Sequence, residues 1–135
     1  MPTPFKLSPP VPDAPGRFFQ QTVEVTDGRQ PLARVTWQAM PAVEGAYQLL
    51  YAEAADGRRR QGHGSLALSE AVRQAQLHAT RAGRPIRRLV AFVPQPNVTT
   101  RAWLVRNGFV HVITINDLAP VGPSGEVLVM VRTFV

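Results

Sequence analysis

A chain of 135 residues is long enough for one hydrophobic core and short for two ordinary domains, which predicts a single folded unit. Hydrophobic residues make up 44% and there is no cysteine, so general disorder, a disulfide framework, a thiolate nucleophile and cysteine-ligated metal centres are excluded. The net charge is +6, but 14 of the 15 basic residues are arginines spread along the chain, without the aromatic interleaving that single-strand binders use to stack bases, so nucleic acid is not the expected ligand.

Residues 1–17 are proline-rich and read as an extended tail, with no apolar run of the length a secretory leader or a membrane span needs. The expectation is a soluble, cytoplasmic protein that does not engage membranes. Alternation then sets in. Phe18–Val25 and Pro31–Met40 read as strands joined through Asp27-Gly28, a strong hairpin signal, and Ala46–Ala55 is a third. Three strands with tight links imply an antiparallel meander.

From Ser65 to Gly83 the period changes to that of a helix. Leu68, Ala71, Val72, Ala75 and Ala79 share one face, and Glu70, Arg73, Gln74 and Arg81 are expected to point outward. Gly83 and Pro85 mark its end. Ile86–Val93 is a strand whose second half is continuously apolar, which predicts a central place in a sheet. A short helix, VTTRAWLVRN, lies between Asn97 as N-cap and Gly108 as a left-handed stop. Two last strands, FVHVITI and EVLVMVRTFV, form a hairpin across a Pro/Gly-rich loop. The predicted order is β-β-β-α-β-α-β-β, a domain over 18–135.

The stretch GRRRQGHGS, Gly57 to Ser65, admits three phosphate-binding readings. Gly57 and Gly62 have the spacing of a nucleotide-triphosphate P-loop, but the lysine and hydroxyl positions are His63 and Gly64, so that chemistry is missing. Gly62, Gly64 and Ala67 satisfy a dinucleotide fingerprint, yet no Asp or Glu occurs between Glu70 and Asp117 to bind the ribose. The third reading is R-x-x-G-x-G over Arg59, Gly62 and Gly64 at a helix start. Backbone N–H groups of Gln61 through Ser65 would converge there on a pyrophosphate at the positive end of the helix dipole.

At this point the chain resembles the GNAT superfamily of acyl-CoA-dependent N-acetyltransferases, over roughly Phe18 to Val135. RRQGHG is similar to the family's coenzyme A pyrophosphate loop, and NVTTRAWLVRNGF, Asn97 to Phe109, to its second signature. The resemblance implies an α/β (α+β) fold, with a GNAT-like mixed, mostly antiparallel sheet whose fourth and fifth strands splay around the acyl-CoA site. It implies acetyl-CoA as co-substrate, held by Ala54, Ala55, Arg58, Arg59, Arg60, Gln61, Gly62, His63, Gly64, Ser65, Asn97 and Arg101. Guanidinium groups suit its phosphate oxygens.

Acyl transfer to an amine needs a base, a polarised carbonyl and a proton for the leaving thiolate. The resemblance places the polarising N–H near Glu53 to Ala55. Glu53 is the first choice as base, with Glu24 in reserve. The tyrosine that serves as acid in much of the family falls at Leu104, which has no proton to give, so Tyr51, Tyr47 or water takes the role. Trp37 and Trp103 read as core. His63, His78 and His111 have no partners at ligand spacing, so no metal site is expected. The expected partners are acyl-CoA and an amine acceptor, peptide or small molecule. The tail cannot form the helices that wall off the acceptor side in longer relatives, and the sheet edge so exposed is a place for homodimerisation. A non-catalytic acyl-CoA-binding sensor or partner module is the alternative reading.

Overall fold

The computed structural model describes residues 5–7, 19–40, 44–54, 62–116 and 126–134. It divides into two units, Met1–Ile86 and Arg87–Val135.

The first unit is a four-stranded antiparallel meander carrying one helix. Strand β1 is Phe5–Leu7, β2 is Gln20–Thr26, β3 is Pro31–Ala39 and β4 is Ala46–Ala54, each paired with the next. The tail therefore contributes a short strand, and Phe5–Leu7 covers the edge of β2 that the sequence left bare. At the β2–β3 turn, Asp27 Oδ1 accepts the N–H groups of Arg29 at 2.8 Å and Gln30 at 2.9 Å, and Gly28 takes φ 94°. That is the left-handed geometry glycine adopts without a Cβ penalty.

Helix α1, His63–Arg81, packs across β2, β3 and β4. Ala67, Ala71, Ala75 and Ala79 on its buried face are small enough to let it approach the sheet closely, where Val23, Val25, Val35 and Trp37 are fully covered. Burying each aliphatic side chain of valine or leucine size is worth about 1.5–3 kcal/mol, so this face is the main source of the unit's stability. The helix ends as the glycine predicts: Gly83 N–H donates to Thr80 O and Arg84 N–H to Ala79 O, both at 3.0 Å, with Gly83 at φ 77°.

Glu70 corrects the helical-wheel expectation. It is buried, at 7% exposure, rather than outward-facing. Its carboxylate accepts from Arg73 Nε at 2.9 Å, Arg73 Nη2 at 2.7 Å and Gln74 Nε2 at 2.7 Å. Neighbours one turn along the same helix thus satisfy a charge that could not otherwise leave water.

The second unit orders its strands β5-β7-β6: β5 is Arg88–Pro94, β6 Val110–Ile115 and β7 Val127–Thr133, with β7 antiparallel to both neighbours. Helix α2, Val98–Arg106, lies between β5 and β6 in the chain. Asn97 caps it, Oδ1 accepting the N–H of Thr100 at 3.2 Å. Gly108, at φ 90°, closes it: Phe109 N–H reaches back to Leu104 O at 3.0 Å, and the side chains of both residues are buried. On one face of the sheet Leu89, Ala91, Val93, Leu128 and Met130 are buried. No helix among the described residues is long and apolar enough to cross a membrane.

Candidate functional site

The entry to α1 has three features that suit an anion. Gly62, the N-cap, sits in the left-handed region at φ 81°, ψ 4°, no side chain caps the helix, and its first turn holds no acidic residue. The first bond back into the helix is Leu66 N–H to Gly62 O at 3.0 Å, so the backbone N–H groups of His63, Gly64 and Ser65 stand ahead of the helical ladder. A helix start of this kind directs N–H dipoles and partial positive charge at one point. A Cβ on Gly62 would meet nothing within 4 Å, so the glycine is demanded by its backbone angle rather than by crowding. His63 is partly exposed, and its buried Nδ1 has no partner among the described residues. Ala55, Arg58, Arg59, Arg60 and Gln61 lie outside the described residues.

The end of β4 carries Glu53 within a row of charges that the sheet register creates. Glu24, Arg34 and Glu53 are successive Cα partners across β2, β3 and β4. Arg34 Nε donates to Glu24 Oε2 at 2.8 Å, and Arg34 Nη1 lies 3.6 Å from Glu53 Oε1. Both sequence candidates for the base are therefore gathered on one guanidinium, an arrangement sequence reading missed. Period-two alternation gives each residue's face but not which residue of the next strand stands opposite.

Tyr51 and Ala54 are placed through their backbone, Tyr51 opposite Thr36 and Ala54 opposite Ala33. The register shifts between Thr36 and Trp37, so Leu50 is the extra residue on β4, and a bulge of this kind re-aims the residues that follow it. Thr36 also bonds Thr22 across the sheet, Oγ1 to Oγ1 at 2.8 Å. Tyr47 is committed elsewhere: it is buried, its hydroxyl lies 2.6 Å from His78 Nδ1, and Trp37 and Phe19 complete the aromatic cluster. This pair accounts for His78, which is half-buried at the edge of the cluster.

In the second unit Asn97 and Arg101 open α2, with Arg101 N–H donating to Asn97 O at 3.2 Å and the Arg101 side chain half-buried. Leu104, on the next turn, is fully buried. Among the described residues no group of three or more His, Asp or Glu side chains is placed to hold a metal ion. The carboxyl of Glu70 is held below the usual carboxylate range, first by its hydrogen bonds to Arg73, against the opposing effect of burial.

No family model and no curated protein matches this chain. Solved structures do. A GNAT-family acetyltransferase from Streptococcus pneumoniae superposes with TM-score 0.70 at 22% identity, over 86% of this chain and 67% of that one. A structure from Desulfovibrio desulfuricans, ascribed to the same family, gives TM-score 0.71 at 22% identity over 84% and 69%. An Arabidopsis thaliana protein solved with the bisubstrate analogue CoA-Ac-MVNAL gives 0.66 at 13% identity over 85% and 72%. At these identities the likeness is one of fold: the chain shares the mixed α/β fold of these GNAT structures.

Proposed function

We propose that this chain is an N-acetyltransferase that moves an acetyl group from acetyl-CoA to a primary amine by direct attack in a ternary complex. The observation that carries the reading is the α1 entry: a left-handed glycine and an uncapped, acid-free first turn, one residue after three consecutive arginines in the sequence, on the fold of acetyltransferases. Coenzyme A brings a pyrophosphate, which the N–H groups from Gln61 to Ser65 would receive with Gly62, His63 and Gly64 at the turn. Arg58, Arg59 and Arg60 supply the counter-charge. Asn97 holds the start of α2, and from there Arg101 serves the adenine end.

In the transfer step, Glu53 takes a proton from the acceptor ammonium and the freed nitrogen attacks the thioester carbon. The backbone at Ala54 and Ala55 donates to the carbonyl oxygen as it gains charge. The tetrahedral adduct, its nitrogen releasing a second proton to solvent, collapses by breaking the C–S bond, and coenzyme A leaves as a thiolate that takes a proton from Tyr51 or water. Tyr47, locked to His78, is no longer a contender. The acceptor is an amine on a peptide or a small molecule; the neighbour solved with a peptide-bearing bisubstrate analogue supports the first.

Leu104 supports a second reading. A buried hydrocarbon fills the slot that holds the acid in much of the family, as a non-catalytic acyl-CoA-binding sensor or partner module would tolerate. Calorimetric titration with acetyl-CoA, beside an Arg59→Ala, Gly62→Ala double variant, tests the common core of both readings. Micromolar binding lost in the variant is expected, and a folded protein that binds no acetyl-CoA refutes both. Glu53→Gln then separates them: it should cut turnover at unchanged affinity, whereas a binding module has no turnover to lose.

A further inference from the structure

The meander of the first unit has one face buried under α1 and a second, polar face on which Glu53 stands. The register organises that polar face in rows. Lys6, Glu24, Arg34 and Glu53 are successive Cα partners from β1 to β4, so the residues of this row alternate in sign and Glu53 is the last of them. The rows beyond it, Thr22–Thr36 and Gln20–Gln38–Gln48, are uncharged and half-buried. The charge that the sheet sets beside Glu53 is therefore a guanidinium, with Arg34 Nη1 3.6 Å from Glu53 Oε1.

We propose that Arg34 sets the acceptor specificity, selecting a peptide whose N-terminal amine meets Glu53 and whose second residue is acidic, its carboxylate meeting Arg34. This rests on the transferase reading with Glu53 as base. A carboxylate placed there meets a planar guanidinium fork whose side chain is 43% exposed to it. A second cation in the same place is repelled by that guanidinium. It also finds the other carboxylate of the row, Glu24, held by Arg34 Nε at 2.8 Å. Selection thus comes from an unfavourable contact for basic acceptors as well as a favourable one for acidic acceptors.

Distance favours a peptide over a free amino acid. An ammonium about 3 Å from Glu53 and a carboxylate about 3 Å from Arg34, across the 3.6 Å between the two side chains, stand roughly 5–9 Å apart. The carboxylate of a free α-amino acid is separated from its nitrogen by one carbon and falls short of that span. A side-chain carboxylate on the second residue covers it, since each residue adds about 3.3–3.6 Å. The uncharged rows beyond offer hydroxyl and amide groups to the peptide backbone.

Peptides that begin Ala-Glu, Ala-Gln or Ala-Lys and share one neutral tail test it, through kcat/KM with acetyl-CoA and through calorimetric binding in the presence of coenzyme A. Ala-Glu should be preferred to Ala-Lys about tenfold at low salt, mainly through KM, and by less as salt rises, because both charges keep contact with water. Arg34→Gln should bring that ratio within twofold and Arg34→Lys should keep most of it. Arg81→Gln, which removes the same charge from an exposed site on α1, should leave it unchanged. Free glutamate should be the poorer acceptor; a preference for it over the peptides overturns the inference. Equal rates with all three peptides, or a preference that survives Arg34→Gln, also overturn it while leaving the transferase reading intact. Binding in the expected order without turnover supports the Arg34 contact and refutes Glu53 as base, and no binding of any peptide overturns the inference.

Discussion

Replacing Leu104 by tyrosine separates a core position from an empty acid slot. Leu104 is fully buried and its carbonyl closes α2 through Phe109, itself buried. A phenol ring there has to displace packed neighbours, at about 1–3 kcal/mol. Its hydroxyl, if it reaches no partner, adds about 1–3 kcal/mol more for a buried unsatisfied group. The expected loss is therefore about 2–6 kcal/mol for tyrosine. Phenylalanine, which carries the volume without the hydroxyl, should cost only the first part. At roughly 3 °C per kcal/mol for a domain of this size, melting should fall by roughly 6–18 °C for tyrosine and 3–9 °C for phenylalanine. Paired thermal melts and turnover assays read both. A tyrosine variant that melts like the parent and turns over faster would refute the packing argument and mark the slot as open to the thioester.

Three further outcomes follow from the same geometry. Gly62→Ala forces a Cβ into the left-handed region and should cost about 1 kcal/mol of stability by denaturant titration while weakening acetyl-CoA binding more than tenfold, because the N–H groups lose their aim. Asn97→Ala removes the α2 cap and should lower stability by about 1 kcal/mol, with Asn97→Ser restoring most of it. Glu70, held below its ordinary value by Arg73, contributes stability that is fully present above the unfolded carboxylate value and is lost as pH falls through its lower folded value. Acid unfolding followed by fluorescence should therefore begin at higher pH in Arg73→Met than in the parent, and equal acid midpoints would contradict this.

The sequence made the elements legible because each carries its own local signature. Asp27-Gly28 fixed a hairpin, Asn97 a helix start, and Gly83 and Gly108 the two helix ends, all through forces acting within a few residues. What escaped depends on partners remote in the chain or on exceptions to periodicity. The strand at Phe5–Leu7 is only three residues long and exists because β2 offers it an edge. Glu70 sits at a buried position of the wheel because Arg73 neutralises it and Gln74 donates a hydrogen bond to it there, which hydrophobic periodicity cannot register. Phe92 sits in an apolar run that suggests burial on both faces, yet it is 41% exposed, and single-strand periodicity cannot reveal what covers a face.

The row Glu24–Arg34–Glu53 bears on the choice of base. One guanidinium cannot serve two carboxylates equally, and here the division is uneven: 2.8 Å to Glu24, which is mostly buried, against 3.6 Å to Glu53, which is half-exposed. The tighter contact is a charge-assisted hydrogen bond, the longer one an ion pair in partial contact with water, where such pairs are worth about 1 kcal/mol or less. Glu24 thus acts as the counter-ion that fixes Arg34 across β2 and β3, while the longer ion pair leaves the Glu53 carboxylate partly in water. In the reaction proposed above, this asymmetry favours Glu53 over Glu24 as the base. It also assigns Glu24 a different consequence: Glu24→Gln should free Arg34 to close on Glu53 and so slow the transfer step by holding the base away from its proton.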